Sequence, residues 1–418
     1  MTDSTTLPGR ADVLVIGAGL SGLACAGLLR RAGVDVHVVD ASDTVGGRVR
    51  TDEVDGFLLD RGFQVLLTAY EEVQAQVDLA RLDVRAFRPG SLVWNGQALQ
   101  TMGDPFRDPA SALASMGAKV GSLGDKMKVA SLRRDLLAKS PGACFEGPER
   151  STQEELEALG FSAAFIDTFF RPFLGGVFLE RSLETSASLF RYYFRCFAAG
   201  DAVLPARGMQ RLPELMAEPL GGRITLGATV TEARAGSVVL DDGTTVEAKE
   251  VVVATDGATA AKLLGGVVPD FKATVTSYFA APQAPVGEPL LVLDGEGTGP
   301  VNHVAVMSNV APEYAPTGMH LVSASGVDAA AEDADAFVAA APAQLRRWFG
   351  PSVDGWEHLR TYRIVDALPR HPAGSLGQRT GGRRSEGLVV AGDCAEFGSI
   401  QGALLSGRRA AEAVLAAR

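Results

Sequence analysis

Cysteine and histidine are scarce in this chain of 418 residues, which holds four of the first and five of the second. Cys25, Cys144, Cys196 and Cys394 stand far apart with no CxxC between any two. That spacing excludes a disulfide framework and a thiolate metal site, and reduced thiols in a cytoplasmic setting are the expectation. The histidines form no HExxH or paired spacing, so no metal centre is expected. Positive charge is also in deficit: 39 Lys+Arg stand against 50 Asp+Glu, a net charge of -11, with no basic stripe to offset it. A nucleic acid partner is therefore excluded. No window supplies the ~20 apolar residues of a membrane-spanning helix. The nearly uncharged stretch from Val13 to Leu29 is broken by Gly17, Gly19, Gly22 and Gly27, and the pair Arg30 and Arg31 follows it instead of preceding it. That is not the order of a signal peptide.

What the chain does have is glycine, 48 residues or about 11%, clustered and not periodic. Such clusters mark special backbone sites, not collagen. Hydrophobic residues at 46% and charged residues at 21% fit a soluble globular protein, and the length is enough for two or three domains at about 100–200 residues each.

The first cluster carries chemistry. Ala11 to Ile16 reads as a short buried parallel strand, and Leu20 to Arg31 has helical apolar spacing. Between them lies Gly17-Ala18-Gly19-Leu20-Ser21-Gly22. Gly17 permits a tight turn, Gly19 lets backbone N–H groups approach a diphosphate, and Gly22 lets helix and strand pack closely. A second strand, Val34 to Val39, ends at Asp40, about 20 residues beyond the glycines, where a carboxylate accepts hydrogen bonds from the ribose of an adenosine and disfavours a 2′-phosphate.

Just downstream, Gly46-Gly47-Arg48 resembles the GGR signature of the flavin amine oxidase superfamily, which includes amine oxidases, protoporphyrinogen oxidase and carotenoid desaturases. The resemblance implies a non-covalent FAD, with Gly46 and Gly47 against the cofactor and Arg48 facing its diphosphate. Asp60-Arg61-Gly62-Phe63-Gln64 matches the family segment that passes the isoalloxazine ring. Ile224 to Thr255, with its Asp241-Asp242-Gly243 turn, resembles the return into the FAD domain, where Val230 would touch adenine through its backbone. Near the C-terminus, Gly387 to Asp393 reads as a buried strand and a helix follows from near Ser399. There Asp393 would hold the ribityl or diphosphate portion, and the helix N-terminus would face the pyrimidine end of the flavin. The cofactor-binding set implied is Gly17, Gly19, Leu20, Ser21, Gly22, Asp40, Ala41, Gly46, Gly47, Arg48, Gly62, Phe63, Val230, Gly392, Asp393, Ser399, Ile400 and Ala403.

The expected architecture is α/β: a discontinuous Rossmann-like FAD-binding domain (1–85, 205–270 and 385–418) with an inserted α+β substrate domain, mainly helical over 86–204 and sheet-containing over 271–384. Leu204 to Met209 matches the family's return segment between them. The densest apolar run, Phe169 to Phe178, and the aromatics from Phe190 to Phe197 could line a lipophilic tunnel, dip into a membrane surface or pack as ordinary helix core. Strands are expected at Thr274 to Ala280, Leu290 to Leu293, Val301 to Met307, His320 to Ser323 and Leu359 to Val365. A helix carries Phe337, Ala341, Leu345 and Trp348 along one face, against which Pro342 argues. His303 and His320 are candidate bases, with a satisfied strand histidine as the plainer reading of each.

Ser399 occupies a position where amine oxidases of the superfamily place an aromatic residue beside the flavin. Ser399-Ile400-Gln401-Gly402-Ala403-Leu404-Leu405-Ser406-Gly407 instead looks like the phytoene and zeta-carotene desaturases. The expected reaction is hydride transfer from a lipophilic, isoprenoid- or polyene-like small molecule to flavin N5, leaving a carbon–carbon double bond. A single GxGxxG leaves no second nucleotide site, so oxygen or a quinone is the expected electron acceptor. A flavin amine oxidase releasing hydrogen peroxide and a non-catalytic FAD-fold escort protein are the alternatives.

Overall fold

The computed structural model describes residues 7–377, 382–383 and 387–418. The expected boundary between 384 and 385 lies outside the described residues. The opening strand, Arg10–Ile16, has Val13, Leu14 and Val15 with no exposure at all, because parallel neighbours pair on both sides and helices cover it. Val36–Val39 lies along one edge, itself flanked by Ile224–Thr225. Thr245–Val253 lies along the other. This last strand runs unbroken for nine residues. Its first half pairs antiparallel with Ser237–Leu240, and its last two residues pair parallel with Val389–Val390. Three distant stretches of chain thus build one Rossmann-like sheet.

Two helices seal it. Leu20–Arg31 and Ile400–Leu415 pack against each other at backbone distance: Ser21 Oγ donates to the Ala403 carbonyl at 2.8 Å, and Gly407 leaves no room for a Cβ between itself and Ala24 at 2.7 Å.

The second sheet has seven strands in the order Glu357–Pro369, Phe271–Ala281, His320–Val327, His303–Val306, Leu291–Asp294, Gly90–Trp94 and Leu99–Gly103. The final two come from the stretch expected to be mainly helical. They form a hairpin around Asn95 and Gly96: Asn95 Oδ1 accepts from the N–H groups of Gln97 and Ala98 at 3.1 and 3.0 Å, and Gly96 sits at φ +89°. The helix expected with Phe337 and Trp348 runs Ala334–Phe349 with Pro342 inside it, and Phe337, Ala341, Leu345 and Trp348 are all buried against this sheet. Burying each such side chain contributes about 1.5–3 kcal/mol, which outweighs a single lost helical hydrogen bond.

Helices also pack against the second sheet. Ile166–Phe170 is a π-helical turn running into Arg171–Phe178, whose Pro172 has no N–H to give. Phe165, Phe170 and Phe190 are fully buried, whereas Phe169, Phe173, Phe194 and Phe197 turn to an internal cavity. The aromatic run is therefore divided between core and cavity wall. Among the described residues no helix is long and apolar enough to cross a membrane.

Candidate functional site

Glycine turns open the site. Gly17, at φ +108°, donates its N–H to the Val39 carbonyl at 2.8 Å, and a Cβ there would lie 2.6 Å from the Ala254 carbonyl oxygen. Gly22 would drive a Cβ into the Gly17 carbonyl, so its role is packing, and it does not line the cavity. Gly19 differs: it caps Leu20–Arg31 with ordinary φ of -71°, and a Cβ there would meet nothing within 4 Å. That Cβ would stand in the cavity. The helix beyond has no side-chain cap and no acid in its first turn, so its N–H groups remain available to an anion.

Asp40 holds this turn together. Its Oδ2 accepts from the Ala18 N–H at 2.6 Å and its Oδ1 from the Ser42 N–H at 2.7 Å. Each oxygen keeps a lone pair for a further donor. The GGR segment lies against the first glycine turn: Gly46 donates to the Ala18 carbonyl at 2.9 Å and bridges to Gly19, and a Cβ on Gly47 would touch the Gly19 Cα at 3.4 Å.

Arg48 and Asp393 were each expected to face the cofactor independently. The structure pairs them, Nη2 to Oδ1 at 2.5 Å, while Nη1 donates to the Ala367 carbonyl at 3.0 Å. One guanidinium thereby ties the GGR turn to the Gly392-Asp393 turn and to the end of the second sheet. The Gly392 N–H donates to Ser406 Oγ at 3.0 Å, and Ser399 caps the last helix by accepting from the Gly402 N–H at 2.9 Å.

These parts converge on one cavity of about 1170 Å³, larger than the ~300–1,000 Å³ of a single small-ligand pocket. Of the expected cofactor residues, all but Gly22 line it. At its far end stand Phe87, Phe169, Phe173, Phe194 and Phe197, with Gly62 and Phe63 between the two ends. The glycine cradle, the helix N-termini and the room beyond them fit a dinucleotide with a second molecule beside it.

His303 lines this cavity and His320 does not; His320 lies near Ser308, 3.4 Å from Oγ, and takes no part in the site. The base expected there is corrected accordingly. Desolvation pushes the His303 imidazole down to about 4. Two contributors were not among the expected cofactor residues. Tyr193 donates its hydroxyl to the Gly398 carbonyl at 2.7 Å, and His371 Nε2 accepts from the Gly398 N–H at 3.1 Å, so together they fix the turn before the last helix. Burial lowers His371 to about 4, which keeps that acceptor free of a proton.

A family model described as flavin containing amine oxidoreductase matches residues 20–415. Putrescine oxidase of Kocuria rosea is 29% identical over 302 residues, which is 61% of this chain and 59% of that protein. Carotenoid phi-ring synthase of Chlorobaculum tepidum is 25% identical over 350 residues, 77% of this chain and 51% of that protein. The chain thus matches less than two thirds of the length of either relative. An oxidoreductase from Methanosarcina mazei superposes with a TM-score of 0.74 at 21% identity, over 96% of this chain and 100% of that one, and so shares the fold.

Proposed function

The chain belongs to the flavin-containing amine oxidoreductase family and is an FAD-dependent oxidoreductase, and from that premise we propose that it desaturates a lipophilic small molecule of isoprenoid or polyene type. The observation that carries this reading is the contrast between the ends of one cavity, backbone amides and glycines at one and phenylalanine rings at the other. The serine at position 399, its hydroxyl spent on capping a helix, supports the same reading against an aromatic cage for amines.

When bound, non-covalently, FAD supplies a two-electron acceptor that oxygen or a quinone restores. The chain does the rest. Gly19 and the N–H groups that open Leu20–Arg31 would take the diphosphate, and Asp40 would accept from ribose hydroxyls with its spare lone pairs. The Ser399-capped helix would present roughly half a positive charge to the redox ring. The phenylalanine wall would keep water from the reacting carbons of the substrate.

Access is part of the proposal. Phe106 and Met116 line the cavity yet are 59% and 61% exposed, so they form its rim, and Leu113, Leu123 and Met127 continue the exposed apolar surface. Four of the chain's seven lysines, Lys119, Lys126, Lys128 and Lys139, fall beside this rim in sequence, although the whole chain is acidic. Apolar side chains flanked by cations suit the surface of an anionic bilayer, from which a lipophilic substrate would enter.

The test is an anaerobic titration of the FAD-loaded protein with phytoene in mixed micelles and, separately, with putrescine. Bleaching of the flavin by phytoene, with a product short of one hydrogen molecule, is the expected outcome. Bleaching by putrescine alone, with hydrogen peroxide on admission of air, would establish the amine reading that the Kocuria relative favours.

A further inference from the structure

His303 sits at the first position of the strand His303–Val306, 2% exposed, on the cavity wall. Its ring meets Phe63 edge to face at 4.9 Å between centroids, and Gly176 admits it closely, since a Cβ there would stand 3.1 Å from Nδ1. The neighbouring Asn302 decides which ring nitrogen holds the proton. Asn302 Oδ1 accepts from Arg181 Nη1 at 3.0 Å, and Asn302 Nδ2 donates to the Pro172 carbonyl at 2.9 Å. A guanidinium requires an acceptor and a carbonyl requires a donor, so the amide can face only one way. Its second N–H then points at His303 Nδ1, 3.2 Å away. Nδ1 must accept, and the single proton of the neutral ring is left on Nε2. Nε2 is buried with no partner among the described residues. A buried N–H without an acceptor costs about 1–3 kcal/mol, which a ligand that supplies one returns.

We propose that the Nε2–H of His303, oriented by Asn302, is a specificity-determining donor that selects a lipophilic substrate bearing a neutral oxygen acceptor, an alcohol, ketone or ether, on its otherwise apolar frame. This rests on the lipophilic-substrate reading and sharpens it. An ammonium group offers only donors and is refused at this point. Asn302 is a positioning residue, and His303, holding its proton where a base would need a lone pair, is not the general base.

The test compares geranylgeraniol with its hydrocarbon counterpart lacking the hydroxyl, both bound to FAD-loaded protein and read by quenching of flavin fluorescence. Wild type binds the alcohol roughly 5- to 100-fold more tightly than the hydrocarbon, the range for one buried hydrogen bond. His303→Phe keeps a ring against Phe63 and brings the ratio to near one without weakening the hydrocarbon, and His303→Gln, which retains an N–H, restores part of the preference. An unchanged ratio in His303→Phe, or equal weakening of both probes, overturns the proposal. Wild type that retains FAD and binds neither probe overturns the lipophilic-substrate reading as well. Should the variants not fold, nitrogen-15 spectra of labelled wild type at neutral pH decide: a proton on Nε2 is the expected state, and one on Nδ1 overturns the assignment.

Discussion

The two ends of the cavity are shaped by opposite means. The cradle end is shaped by what is missing, since Gly17, Gly46 and Gly19 leave room for backbone and ligand where any side chain would intrude. The aromatic end is shaped by what fills it: Phe173 stacks on Phe169 at 5.8 Å and leans on Phe197 at 5.2 Å. Backbone surfaces cannot adapt to a new methyl group, whereas a wall of rings can repack around a change of similar volume. The first end should therefore tolerate almost nothing, and the second a good deal, which suits the proposal that one end holds a fixed cofactor and the other sets substrate choice.

Four variants would break or sharpen this contrast. The largest effect belongs to Gly17→Ala, which forces a left-handed φ on a Cβ already too close to Ala254; unfolding should shift by about 3 kcal/mol or more, and the protein should purify without flavin. Its counterpart Gly19→Ala isolates the ligand term: an unchanged melting temperature for the apoprotein, with FAD affinity reduced at least about tenfold, is expected from a methyl group that touches only cavity. Next comes Arg48→Met, which leaves the Asp393 carboxylate buried at 8% side-chain exposure without its partner. Because Arg48 is itself 36% exposed, the loss in chemical denaturation is reduced to about 2 kcal/mol, with weakened flavin retention. The smallest is Phe173→Leu, about 1 kcal/mol in the same assay with flavin fully retained and only the lipophilic probes bound differently. If Phe173→Leu released the cofactor, or Gly19→Ala left its affinity unchanged, the division of labour would fail.

The cradle was legible because its signals are short and contiguous. Glycines and an acid at fixed spacing must recur wherever a diphosphate meets a helix start, and Gly17, Asp40 and Gly46 fall together as that spacing requires. Less visible were the contacts between distant segments. Arg48 and Asp393 carry separate local signatures, yet they neutralise each other across 345 residues, which no periodicity reports. Tyr193 and His371 reach the Gly398 turn from 205 and 27 residues away; the aromatic run around Tyr193 signalled a lining or a core, not this contact, and nothing near His371 marks it. The hairpin at Asn95 and Gly96 did carry a local signal, an Asn-Gly pair between two apolar runs, and the helical character of the residues after it obscured that signal. Of His303 the sequence offered only its place on a strand; the direction of its proton depends on Arg181 and Pro172, each more than 120 residues away.

The packing of the last helix on the first also orders events at the ribosome. Translation delivers the glycine turns within the first fifty residues, but Ser21 waits for Ala403 and Ala24 for Gly407. Until those late residues emerge, the face of Leu20–Arg31 that Ile400–Leu415 covers stays bare, so the packing behind the first glycine turn is completed late in synthesis.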